Sequence, residues 1–387
     1  MKKKIVILGS TGSIGKCLLN IINKDKKNFD IILLTAHTNY KTLFKQAKKF
    51  KVKNVLITDK QTFYAVKKKY KSLKINVFSD YSFFDKFFKK KVDYTMSSII
   101  GIDGLYPTFK MIKYTKTLAI ANKETIICGW NLLKNELKKN DTKFIPVDSE
   151  HFSIWSFLKS SKPNVEKIYL TASGGPFYKY KFSNLKKIKI SDALKHPTWK
   201  MGKKITVDSA TLMNKVFELI EAKKIFNLSY EKLAIIIHPS SYIHAIIKYK
   251  NGLINIVAHD TTMIVPIFNS LYSDKLKKLK TNHINLNLLN KLNFSKAKNF
   301  NFPLLSIIKL LPKNDSLFET VLVSANDYLV NLFLNKKIQY TDITKMLIKI
   351  AKMKKFDSLK NISPRNLSDI FEVNKITINK IKKLFKK

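Results

Sequence analysis

Asp148 and Glu150 stand two positions apart in Pro146-Val147-Asp148-Ser149-Glu150-His151, just past an apolar run, in a chain with 73 basic and only 27 acidic residues. Read as an extended segment, residues i and i+2 project from the same face. Two carboxylates held there repel unless something positive lies between them. A third acid falls in Asn214-Lys215-Val216-Phe217-Glu218. Helical spacing puts Asn214 and Glu218 on one face, with Lys215 adjoining, so that Glu218 can join the other two carboxylates. Ser209 takes the N-cap position if that helix begins at Ala210. A hydroxyl, an amide and an ammonium round a helix start suit an anionic ligand such as a phosphate. The competing reading is an amphipathic surface helix with Leu212, Val216, Leu219 and Ile220 as its core stripe, and that stripe still leaves the polar face free.

Other segments carry weaker signals. His196-Pro197, Trp199 and Gly202 make a loop with an aromatic in its middle, suited to a lid that excludes water. His238 and His244 follow in the 238–244 segment, while His37, His259 and His283 read as ordinary histidines. Ser173 and two glycines after an apolar run fit either the approach of a phosphate or a plain turn. Gly9, Gly12 and Gly15 lie between a strand pattern and a helix pattern. In that setting backbone N–H groups and a helix N-terminus can hold a pyrophosphate, although tight turns also use glycines. The end of the second strand reads Ala36-His37-Thr38-Asn39 with Lys41 beyond, and offers no acid for a ribose hydroxyl. A 2′-phosphate is the better match, hence NADP(H). Ala121-Asn122-Lys123-Glu124 sits at another strand end, where ligands bind in parallel sheets or where a polar loop simply turns.

These residues need a frame. A chain of 387 residues with 45% hydrophobic content predicts two or three domains. As far as about residue 137, short apolar runs alternate with lysine-rich stretches of helical length, among them 40–51 and 60–71. That alternation predicts a doubly wound, Rossmann-type parallel sheet. Over 138–272 the texture becomes a central α+β domain, with a hairpin at Asn251-Gly252. A polar linker over 273–300 leads to a C-terminal helical bundle (301–387), with helices over 302–311, 316–336, 342–355 and 364–386, the last capped by Ser363 ahead of Pro364. Cys17 and Cys128 are far apart and form no metal or disulfide pattern. No run approaches a membrane span, and the N-terminal apolar patch is too short for a signal peptide, so a cytoplasmic protein is expected. The net charge of +46 invites a nucleic-acid reading. Against it, every basic residue but Arg365 is a lysine, and the lysines are spread along the chain with abundant Asn and Ile, as coding in an AT-rich genome would give. Neither a specific nucleic-acid partner nor a membrane is expected.

Taken in order, the segments at 7–15, 120–124, 146–151, 171–177, 196–215, 220–222 and 237–244 resemble the 1-deoxy-D-xylulose 5-phosphate reductoisomerase family over nearly the whole chain. The resemblance implies NADPH bound by Thr11, Gly12, Ser13 and Ile14, with Asn122, Glu124 and Gly202 also on the cofactor side; His37 and Thr38, with Asn39, stand where relatives meet the 2′-phosphate. It implies one divalent cation (Mg²⁺, Mn²⁺ or Co²⁺) held by Asp148, Glu150 and Glu218, with Lys123 close to it. It implies a sugar phosphate substrate bound by Ser149, Ser173, His196, Ser209, Asn214 and Lys215 and by the same Lys123, Glu150 and Glu218. Trp199 matches the flap aromatic and His244 a second active-site histidine, and a homodimer is the family's assembly. The competing enzyme is an NADP-dependent dehydrogenase of a phosphorylated substrate that leaves the carbon skeleton alone.

Overall fold

The first apolar run is a strand, β1 (Lys3–Leu8), in which Ile5, Val6, Ile7 and Leu8 are all fully buried. A strand that buries successive side chains is covered on both faces, as in a parallel sheet flanked by helices. The strands β2 (Phe29–Ala36), β3 (Asn54–Ile57), β4 (Asn76–Phe78), β5 (Val92–Ser97), β6 (Thr115–Ile120) and β7 (Lys143–Pro146) complete it. The seven run in the order β4-β3-β2-β1-β5-β6-β7, every pairing parallel. The strand order reverses between β1 and β5, and that crevice is where such sheets bind ligands. The helix Tyr40–Phe50 matches the stretch read over 40–51, and the helix pattern beside the glycines is the helix Ser13–Asn23.

The computed structural model describes residues 1–69, 74–158, 164–273 and 277–385. The ends of the helices read over 60–71 and 364–386, with the close of the 301–387 bundle, and part of the 273–300 linker lie outside them. The chain divides into two compact units. The first takes residues 1–125, 133–148 and 263–279, and holds the parallel sheet. The Ile264–Leu271 helix joins that unit through Ser270, whose hydroxyl lies 2.8 Å from that of buried Tyr94.

The second unit takes residues 126–132, 149–262 and 280–387. Its five-stranded sheet has the order β11-β10-β8-β9-β12, with β8 at Val165–Ala172, β9 at Leu233–Ile237, β10 at Ile243–Tyr249, β11 at Ile254–Ala258 and β12 at Ser295–Lys296. β10 and β11 form the hairpin expected round Asn251-Gly252. Ile154, Leu219 and Ala222, from the helices Ser149–Leu158 and Met213–Phe226, pack on Ile168, Leu170, Ala245 and Ile247 of this sheet. Each such side chain withdrawn from water contributes up to about 3 kcal/mol. The C-terminal helices are Phe318–Leu334, Tyr340–Ala351 and Leu367–Phe385, and the 303–310 segment winds as a 3₁₀ helix. The last helix starts later than Ser363 because the Pro364 carbonyl accepts from Asn131, and Asn366 supplies the cap, its Oδ1 3.0 Å from the Asp369 amide.

Candidate functional site: a buried carboxylate–lysine centre

In the first unit, β1 ends at Leu8 and the chain turns through Gly9, the Gly12 amide donating to the Gly9 carbonyl (3.2 Å), before the helix begins at Ser13. Thr11, Gly12, Ser13 and Ile14 therefore sit at a helix N-terminus beside the β1–β5 crevice, at its positive dipole end. Gly15 is what lets the turn close, for a Cβ there would lie 2.5 Å from the Ser10 Cα and 2.6 Å from the Gly9 carbonyl oxygen. Gly15→Ala must push that backbone apart. It is expected to weaken NADPH binding at least ~10-fold in a fluorescence titration, since overpacking of this kind costs about 1–3 kcal/mol.

His37, Thr38 and Asn39 are exposed just past the end of β2. The His37 Nδ1 is 2.8 Å from the Thr58 hydroxyl, and Asn39 caps the helix that follows. Asn122 caps the Lys123–Lys139 helix through the Thr125 amide (2.8 Å) while its own amide donates to the Gly101 carbonyl (2.8 Å). Its side chain thus holds the turn that presents Lys123 and Glu124. Lys123 is buried with its Nζ 2.6 Å from the Asp148 carboxylate.

In the second unit, the loop after β8 brings Ser173 within 3.0 Å of the His196 Nε2, and Ser209 reaches the same nitrogen at 3.1 Å. The backbone amides of Thr198 and Trp199 both donate to the His196 Nδ1, so the ring's proton sits on Nε2 and points at the two hydroxyls. Burial first, then the charge of Lys215, pushes His196 down to about 4, so the imidazole is neutral near pH 7. Gly175, at φ +65°, allows this approach: a Cβ would meet the Ala210 Cα at 2.8 Å and the Ser209 carbonyl at 2.9 Å. Ser209 is not an N-cap. It lies in the last turn of a helix spanning Lys203–Thr211 with Gly202 as its N-cap, and the next helix begins at Met213. Leu212 separates them in the left-handed region (φ 63°, ψ 11°) although 2% exposed. Asn326 and Asp327 hold the first of these helices. Asn326 donates to Asp208 (2.8 Å), and Lys204 bridges Asp208 and Asp327 at 3.0 and 2.8 Å.

The 148–150 segment is not extended. β7 stops at Pro146 and a helix starts at Ser149, so Glu150 occupies its second position and Asp148 directly precedes it. What balances Glu150 is Lys215, whose Nζ lies 2.6 Å from Glu150 and 2.5 Å from Glu218. The Ser149 hydroxyl donates to Glu150, and the Asn214 amide to Glu218. Burial works to raise the Glu150 carboxyl, but the Lys215 ammonium outweighs it and holds the group well below the usual carboxylate range. Burial likewise opposes the charge on Lys215, and Glu150 and Glu218 overcome it. The Met213–Phe226 helix is no surface helix, for Glu218 is 1% exposed and Lys215 5%. His151, unassigned by the sequence, fixes the arrangement from behind: its Nε2 donates to the Glu218 carbonyl oxygen at 2.9 Å.

Trp199 meets the His244 ring edge-on, with centroids 6.0 Å apart. His244 is pushed down to about 3, by burial first and then by His259 beside it. Ser149, Glu150, Ser173, His196, Trp199, Gly202, Ser209, Asn214, Lys215, Glu218 and His244 thus all belong to the second unit; Thr11–Ile14, His37–Asn39, Asn122–Glu124 and Asp148 belong to the first. The carboxylate oxygens of part-buried Glu150 and buried Glu218, converging on one cationic group, are also donors suited to a hard divalent ion, so these residues fit one.

A family model described as 1-deoxy-D-xylulose 5-phosphate reductoisomerase matches residues 5–129, and two of its C-terminal domain match residues 144–226 and 260–379. The curated 1-deoxy-D-xylulose 5-phosphate reductoisomerase of Pelagibacter ubique is 56% identical over 375 residues, covering 96% of this chain and 97% of that one. The Sulfurihydrogenibium relative of the same name is 38% identical over 385 residues, covering 99% and 98%. Among solved structures, the Zymomonas mobilis enzyme in complex with NADPH superposes with a TM-score of 0.83 at 30% identity, over 98% of this chain and 97% of that one. A DOX-P reductoisomerase in complex with NADPH, fosmidomycin and magnesium superposes with a TM-score of 0.90 at 27% identity, over 100% and 99%. With family models spanning most of its length and a full-length relative at 56% identity, the chain belongs to the 1-deoxy-D-xylulose 5-phosphate reductoisomerase family.

Proposed function

We propose that the chain converts 1-deoxy-D-xylulose 5-phosphate into 2-C-methyl-D-erythritol 4-phosphate with NADPH and a divalent cation. The observation that carries this reading is the largely buried Glu150–Lys215–Glu218 cluster, with Lys215 and Glu218 buried and Glu150 partly so, in the same unit as the Ser173–His196–Ser209 cluster. One is built for a cation and the other for a phosphate. Asp148 completes the cation's donors, since it lies two residues from Glu150 and so within about 7 Å along the backbone. When bound, the cation would supply Lewis-acid polarisation of the ketose oxygens, and NADPH would supply the hydride for reduction.

The residues of the chain do the rest. The Ser173 and Ser209 hydroxyls, the His196 Nε2–H and the Asn214 amide hold the phosphate, away from the carbons that react. That binding energy is available to close the 196–202 loop and bring Trp199 over the substrate. The Lys215 ammonium lies between Glu150 and Glu218 and that of Lys123 beside Asp148, and so they offset the repulsion among the carboxylates. Closure excludes water while the C3–C4 bond breaks and the carbon chain rejoins in branched form, so the two fragments stay in place.

The same reading includes a cytoplasmic homodimer. Among the described residues, no helix is long and apolar enough to cross a membrane. The sheet edge at β11 exposes Leu253, Ile254 and Ile256, an apolar surface that a second copy would cover. Light scattering is expected to give twice the chain mass.

The deciding assay follows NADPH absorbance with 1-deoxy-D-xylulose 5-phosphate, with and without EDTA. Oxidation of NADPH that stops on chelation and returns with Mg²⁺ is expected. Full activity after exhaustive chelation, or a product with an unbranched carbon skeleton, would point to a simple dehydrogenase instead.

A further inference from the structure

His259 has no part in the site so far, and its sequence context is that of an ordinary histidine past a strand end. The β10–β11 hairpin gives it a particular neighbour. Ile243 pairs with Ala258 and Ala245 with Val257, so His244 is the extra residue of an irregularity in β10. The two imidazoles end face to face, centroids 3.6 Å apart and planes 14° from parallel. The His244 Nε2 lies 3.1 Å from the His259 carbonyl oxygen, and the His259 Nδ1 lies 2.8 Å from that of Asp260. A carbonyl only accepts, so these contacts assign the tautomers: Nε2–H on His244 and Nδ1–H on His259. His244 is therefore left with an Nδ1 lone pair, set by a hydrogen bond that His259 supplies. The same ring also meets Trp199 of the 196–202 loop at an interplanar angle of 77°. Two rings stacked this closely cannot both carry charge without strong repulsion: burial and then His259 lower His244, and burial lowers His259.

We propose that His259 is a positioning residue for the reaction: its ring and its backbone carbonyl hold His244 in one plane and one tautomer against Trp199. The proposal rests on His244 being a substrate-site residue, as in the function above. An imidazole free to rotate would present the wrong nitrogen half the time and would give the closing loop no fixed wall, and small misplacements of this kind are costly to rate.

The test compares His259→Ala, His259→Phe, His244→Ala and the His244→Ala/His259→Ala double variant in the holoenzyme. The ring of His259→Phe keeps the stack, and the backbone carbonyl remains in all of them. Removal of the ring in His259→Ala is expected to lower kcat/KM for 1-deoxy-D-xylulose 5-phosphate at least ~10-fold, most of it in KM, and His259→Phe to restore it to within about 3-fold of wild type. In the His244→Ala background the His259→Ala exchange is expected to add little, because it acts through the missing ring. Equal losses from His259→Ala with and without His244 would overturn the proposal, as would a His259→Phe variant as poor as His259→Ala. A fully active His244→Ala variant would instead remove the substrate role of His244 itself. An impaired His244→Ala beside an unaffected His259→Ala would remove only the positioning role.

Discussion

Glu218→Gln is expected to lower turnover at least ~10²-fold while leaving the circular dichroism spectrum unchanged, the scale typical of a group that stabilises charge in a reaction. Glutamine has the same shape, and the site can still use it: its amide keeps the space that Glu218 fills at 1% exposure. What disappears is one negative charge. Lys215 then keeps only Glu150 as a carboxylate partner, and the cation loses an anionic donor. The expected signature is a joint fall in kcat and in affinity for Mg²⁺, with NADPH binding in the other unit intact. Near-normal turnover in this variant would be incompatible with a role for Glu218 beside the cation.

Lys215→Met should show how the protein manages without a metal. Methionine replaces the buried stem at similar volume, so packing is kept and the charge is lost. Buried Glu218 and part-buried Glu150 are then left without their shared ammonium. Removing one partner of a buried ionic group typically costs about 3–5 kcal/mol. Thermal melts in EDTA are therefore expected to show a large fall in midpoint, and Mg²⁺ is expected to recover more of it in the variant than in wild type, since a cation substitutes for the missing charge. The pH dependence should change sign. In wild type the Glu150 carboxyl is held low, so its contribution is present above about 4.5 and is lost as pH falls through the folded value. In the variant, repulsion raises a carboxyl instead, so stability should improve toward acid and fall as pH rises. A variant with no added response to Mg²⁺ would show that the two glutamates do not share a cation. The carboxylates also lose the charge that offsets their repulsion at the substrate, so kcat/KM should drop sharply in the same protein.

The parallel sheet was legible because its signal is local: strands buried on both faces read as unbroken apolar runs, and helices between them as lysine-rich stretches. The hairpin was legible through Asn251-Gly252 for the same reason. The candidate site was legible as a set of residue types, since acids are scarce enough here that Asp148, Glu150 and Glu218 stand out. Geometry was less accessible. Ser209 reads as a cap because propensity cannot reveal a left-handed leucine between two helices, and a buried stripe cannot show that the opposite, charged face is buried too. Ser363 reads as a cap because the long-range bond from Asn131 to Pro364 leaves no local trace. His259 is invisible for a related reason: only the register across the hairpin, shifted by one residue at His244, places the two rings together.

Leu212 makes opposing demands on any replacement. Its backbone suits glycine or asparagine, and holding a leucine there costs about 1–2 kcal/mol. Its surroundings suit a branched hydrocarbon, because it is almost wholly enclosed. No common amino acid satisfies both, so saturation mutagenesis at this position should return few functional clones: small residues would relieve the torsion and open a void, and β-branched ones would fill the space but resist the twist. The bend it enforces keeps Ser209 and Lys215 on separate axes, and a straight, uninterrupted rod would be the easier shape to fold and the poorer one to work with.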